Sequence, residues 1–77
     1  MNYNYSEVFL KFKGYCHDPE TERVMCIKRD KILALDPSTD ESNITVITLT
    51  ETLYDSRHLY FKGTIDDFLQ QVEIVCL

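Results

Sequence analysis

Glycine is scarce in this chain. Only Gly14 and Gly63 occur, far apart, so no glycine-rich loop is available to cradle a phosphate. The same scarcity excludes a calcium loop of the EF-hand type. Asp36, Asp40 and Glu41, with Ser38 and Asn43, gather oxygen ligands in one segment. The D-x-[DN]-x-[DN]-G pattern with a distal Glu is missing, however, and no glycine stands there to make the sharp turn. Cysteine is sparse and odd in number: Cys16, Cys26 and Cys76, with no C-x-x-C pair. That excludes a secreted mini-protein stapled by disulfides, and reduced thiols are expected, with Cys26 and Cys76 as small core residues. Cys16-His17-Asp18 offers three ligand types in a turn, but only His58 stands elsewhere as a further imidazole, so the set falls short of a zinc site. No cofactor is expected. No apolar run is long enough to span a bilayer. The first residues, Met1 to Glu7, lack a positive region followed by an apolar core, so they do not read as a signal peptide and the expected compartment is the cytoplasm. Positive charge is also in deficit. Eight Lys and Arg face thirteen Asp and Glu, a net charge of −5. Nucleic acid is therefore not an expected partner; a neutral or basic protein surface is.

What is present fits one small α+β domain. The chain has 77 residues, 44% of them hydrophobic, a size at which stability is marginal and dimerisation is a common remedy. Residues 1–6 form a polar, tyrosine-rich arm, flexible or extending the first strand; residues 7–77 form the domain. Glu7 to Tyr15 alternates, with Val8, Leu10 and Phe12 on one side and Phe9, Lys11 and Lys13 on the other. Asp18-Pro19 opens a turn, and Arg23 to Lys28 returns as the second strand of a hairpin. After the charged Lys28-Arg29-Asp30-Lys31, a short strand at Ile32–Leu35 is expected to stop at Asp36-Pro37. Ile44 to Thr50 is dense in β-branched residues, and Arg57 to Lys62 reads as the last strand. Thr64 to Cys76 carries a helical stripe of Ile65, Phe68, Leu69, Val72, Val75 and Cys76, with Thr64 as N-cap and Asp66 and Asp67 in the first turn. The expected architecture is a small antiparallel sheet of four to five strands with one C-terminal amphipathic helix packed on one face.

Such a sheet should be apolar on one side only. Val24-Met25-Cys26-Ile27 is apolar throughout, Ile44, Val46, Ile47 and Leu49 serve both faces, and Phe9 lies opposite Val8, Leu10 and Phe12. The helix covers one side, so a homo-oligomer, in the simplest case a dimer, is expected to cover the other.

Four segments carry a family resemblance: Ile27-Lys28-Arg29-Asp30-Lys31-Ile32, Thr45-Val46-Ile47-Thr48-Leu49-Thr50, Leu59-Tyr60-Phe61-Lys62, and Thr64-Ile65-Asp66-Asp67-Phe68. From Arg23 to Val72 the pattern resembles the small FlbD-like proteins associated with flagella and swarming, the SwrD group, and many short phage and prophage proteins share it. The chain departs from that pattern in its longer first hairpin turn, in lacking an Asn-Gly turn between Glu51 and Ser56, and in its tyrosine-rich N-terminus. The resemblance implies the strand-and-helix order above and a motility-associated accessory role. It supplies no catalytic residues.

No catalytic constellation emerges from the residues themselves. Cys16 and His17 are neighbours whose side chains point apart, with no third group to orient them, so a non-enzymatic role is expected. Five tyrosines suit an interface, where a large apolar ring with a polar tip is favoured. The expected function is a protein-interaction module, in a specific version a phage-encoded inhibitor of a host or defence protein. Its candidate partner-binding residues are Tyr3, Tyr5, Phe9, Asp18, Glu20, Glu22, Asp36, Asp40 and Glu41. The alternative is a nucleotide or other small-ligand binder with a site between subunits, using Arg23, Lys28, Arg29 and Tyr60.

Overall fold

The computed structural model describes residues 8–76. Expectations that fall on residues 1–7, Tyr3 and Tyr5 among them, lie outside the described residues. Strand β1 (Val8–Gly14) and strand β2 (Arg23–Lys28) form the expected hairpin, with Leu10 opposite Ile27 and Phe12 opposite Met25. The turn between them is set by Asp18. Its carboxylate accepts the Glu20 N–H at 2.9 Å, and Pro19 opens a single 3-10 turn through Thr21. A second 3-10 turn, Arg29–Lys31, carries the chain into β3 (Ile32–Pro37), followed by β4 (Ile44–Leu53) and β5 (Ser56–Lys62).

The strands divide into two antiparallel three-stranded sheets, ordered β2-β1-β6 and β3-β4-β5, which corrects the expectation of one sheet of four to five strands. A reciprocal backbone bridge links the two sheets. Tyr15 N–H donates to the Tyr60 carbonyl at 3.0 Å, and Tyr60 N–H to the Tyr15 carbonyl at 2.8 Å. Phe12, Met25 and Ile27 from the first sheet meet Ile47, Leu49, Leu59 and Phe61 from the second, all buried. These are one face of each sheet; on the opposite faces Val24 is 57% exposed, and Ile44 and Val46 are half-buried. Phe9 is only half-buried, in register with Lys28 and Val75. Cys26 is exposed because it alternates with buried Met25 and Ile27; Cys76 is exposed as well, and it is Cys16 that packs against the core.

Two strand ends differ from expectation for local reasons. β3 runs on to Pro37, which pairs with Thr45; β3 is an edge strand, so the missing N–H breaks no ladder there. β4 continues to Leu53, which pairs with Ser56 across Tyr54 (φ 53°) and Asp55 (φ 62°). Both φ values are positive, as the tight hairpin turns require, although neither residue is the usual Asn or Gly.

The helix is shorter than expected. α1 spans Ile65–Gln71, and Val72 is already extended at φ −65°, ψ 135°. Glu73–Cys76 then forms β6, antiparallel to β1. Ile74 and Val75 are β-branched, and the open edge of β1 offers ladder partners that a helix cannot use. The start of the helix is as read. Thr64 Oγ1 accepts the Asp67 N–H at 3.1 Å, and the Asp67 carboxylate accepts the Thr64 N–H at 3.0 Å, a capping box. Phe68 is buried between Phe12 and Phe61, edge-on to each at 5.1 and 5.2 Å. Leu69, placed on the buried stripe by the periodicity, is 59% exposed.

Candidate partner-binding site

The Tyr15–Tyr60 bridge does more than join the sheets. The two rings stack at 5.4 Å between centroids and 22° between planes. Past Tyr15 the chain leaves the sheet, and Cys16, His17 and Pro19 pass in front of the rings. From the opposite side comes the segment that follows β3. Ser38 Oγ accepts the N–H groups of Asp40 and Glu41, each at 3.2 Å, and Ser38 N–H donates to the Ile44 carbonyl at 2.8 Å. Asn43 takes a positive φ of 59°, and its carbonyl accepts the Gly63 N–H at 2.7 Å. The acidic loop is therefore shaped by its own backbone and tied to the end of β5. Between it and the rings lies a cavity of about 290 Å³, lined by Tyr15, Cys16, His17, Pro19, Ser38, Asp40, Glu41, Ile44 and Tyr60.

A second cavity, of about 370 Å³, shares Cys16 and His17 and is completed by Asp18, Thr21, Arg23, Tyr54 and Asp55. On its wall the Arg23 guanidinium sits 4.8 Å from the centre of the Tyr54 ring, a cation–π contact. Cys16-His17-Asp18 lies between the two cavities. Among the described residues, no group of three or more His, Cys, Asp or Glu side chains is placed to hold a metal ion.

The electrostatics show what the tertiary fold brings together. Burial pushes the Tyr15 hydroxyl above its ordinary pKa; Glu41, then Tyr60, then Glu22 add to the effect. Glu22 belongs to the first hairpin turn and Glu41 to the loop after β3. Two acidic segments distant in sequence thus act on one phenol. Glu22 from the turn and Asp40 and Glu41 from the loop stand near the stacked tyrosines, Asp18 lines the adjoining cavity, and Glu20 is exposed in the same turn. Asp36 is exposed on β3, two residues before Ser38, on the strand that leads into the loop.

The remaining candidates are placed apart. Phe9 lies five residues before Gly14 on β1, about 17 Å away at strand rise, in the half of the sheet that pairs with β6. Arg23 begins β2 opposite Gly14, whereas Lys28 ends it opposite Phe9, and Arg29 follows Lys28. The proposed nucleotide set of Arg23, Lys28, Arg29 and Tyr60 is therefore not gathered at one place: Tyr60 and Arg23 belong to the acidic end, Lys28 and Arg29 to the other.

Tyr15, Cys16, His17 and Ser38 were not marked as site residues by sequence reasoning. Ser38 had a readable signal, since serine just before acidic residues in a loop invites a side-chain turn. Tyr15 had none, because its burial comes from Tyr60, 45 positions further along the chain. No family model, no curated protein and no solved structure matches this chain.

Proposed function

We propose that this chain is a non-enzymatic protein-interaction module that binds a partner with a basic surface through its acidic end. One observation carries the reading: the first turn, through Glu22, and the loop after β3, through Asp40 and Glu41, meet at the stacked pair Tyr15 and Tyr60. Aromatic rings flanked by carboxylates combine apolar contact area with a field that steers a positive surface inward. Pull-down from host lysate, repeated with Glu20→Lys/Glu22→Lys and Asp40→Lys/Glu41→Lys, tests it. The captured protein should be basic, each pair of reversals should release it, and its affinity should fall as salt is raised. Capture unaffected by both pairs would sink the reading.

Self-association is a second reading, supported by a different surface. Leu33 on β3 and Ile74 on β6 are 66% and 67% exposed, and among the described residues each strand stands at the edge of its own sheet. Exposed apolar side chains on an unpaired strand edge are the usual template for a further strand. Light scattering over a wide concentration range measures this directly, and a strict monomer throughout removes it.

A further inference from the structure

The cavity in front of the stacked tyrosines has features suited to a single positive group. Tyr15 is only 5% exposed. Its ring and that of Tyr60 line the cavity together, and among the described residues no hydrogen bond engages its hydroxyl. Asp40 and Glu41 have their backbone amides held by Ser38, while among the described residues no ion pair engages their carboxylates. The site thus presents an aromatic wall, a phenol and two acidic residues whose side chains meet no ion-pair partner among the described residues.

We propose that this cavity receives the guanidinium of one arginine side chain from the basic partner, an inference that rests on the partner-binding reading above. The cation does not enter between the rings. At 5.4 Å they are too close, since two contacts of about 3.5 Å would need about 7 Å. It lies against the cavity side of Tyr60, which is half-buried, with its N–H groups donating to the Tyr15 hydroxyl and to Asp40 or Glu41. Arginine suits this geometry better than lysine. Its flat, delocalised cation stacks on a ring while its fixed fork of donors reaches oxygens to either side; an ammonium is a compact, strongly hydrated point. The chain already uses the same pairing in the adjoining cavity, where Arg23 lies over Tyr54.

The test uses two synthetic probes of equal length and charge, a hexa-arginine and a hexa-lysine peptide, titrated calorimetrically into the full chain. The arginine peptide should bind roughly 2- to 5-fold more tightly, the range a cation–π contact of about 0.5–1 kcal/mol supplies. Tyr60→Leu should abolish that preference while leaving the lysine peptide unchanged. Tyr15→Phe, which keeps the ring and loses only the hydroxyl, should reduce it, and so should Glu41→Gln; these two keep the test decisive if Tyr60→Leu fails to fold. Equal binding of both peptides, weakened only by Glu20→Gln/Glu22→Gln, would overturn the arginine site and leave the acidic surface standing. Binding of neither peptide would overturn both.

Discussion

Tyr15 is the residue on which the fold and the candidate site depend together. Its backbone joins the sheets, its ring stacks on Tyr60, and its hydroxyl is held protonated by burial and by Glu41. The sign of the resulting pH dependence follows from linkage. The unfolded chain releases this proton at the ordinary value of about 10, while the folded chain holds it to higher pH. Stability is therefore retained below about pH 10 and falls as pH rises from there toward the folded value. In Tyr15→Phe the alkaline loss should be shallower, as followed by urea unfolding across that range, and the late-ionising phenol should vanish from the ultraviolet titration of tyrosinate. Gly63 is constrained for a different reason. Its φ is +151°, and a Cβ there would stand 2.6 Å from the Phe61 ring and 3.1 Å from the Asp67 Cβ. Gly63→Ala should cost roughly 1–3 kcal/mol, lowering Tm by about 4–8 °C for each kcal/mol in a domain of this size. Nothing in the one-dimensional pattern reveals this, since glycine after a strand reads simply as a break. The turn at Tyr54-Asp55 was hidden for a related reason, because tyrosine seldom takes the positive φ that Tyr54 has here.

At the scale of elements, the boundaries set by short-range chemistry were legible and those set by distant pairing were not. Asp18-Pro19, the alternation of β1, the β-branched run of β4 and the Thr64 cap all act within a few residues, and each was readable. The end of α1 was not. Val72, Val75 and Cys76 continue a helical period, but β1, more than sixty positions earlier, presents an open edge that takes Glu73–Cys76 as a strand. The division into two sheets was hidden likewise, because the 3-10 turn at Arg29–Lys31 is short and local sequence is silent on which face β3 will meet. The capping box makes a measurable claim on the helix that remains. Thr64→Ala should destabilise by about 1 kcal/mol, seen as a lower thermal midpoint. Thr64→Ser, which restores the acceptor, should recover most of it. The cap matters beyond its own turn because it positions Phe68 between Phe12 and Phe61.

For the whole molecule, the same contrast applies to the candidate site. The acidic residues could be named one by one from the sequence, but their convergence could not, since it depends on β1 reaching β5 through Tyr15 and Tyr60. The residues grouped as a nucleotide site were dispersed by the same topology. Removing residues from Glu73 onward tests how far the two sheets depend on β6. The shortened chain should lose cooperative unfolding, bind a hydrophobic dye and aggregate, because β1 would be left with an open edge. A shortened chain that melts sharply as a monomer would show instead that β6 is dispensable.

The antiparallel pairing of Val8 with Cys76 bears on how the protein is made. A ribosome releases the chain from its N-terminal side at about 5–20 residues per second. β1 and β2 therefore emerge and form their hairpin early, while the strand that completes their sheet begins 45 residues after β2 ends. Until then β1 has one partner and one bare edge. The final sheet is closed only once residues 73–76 are clear of the exit tunnel, which makes this fold one that is completed after, rather than during, the synthesis of its core.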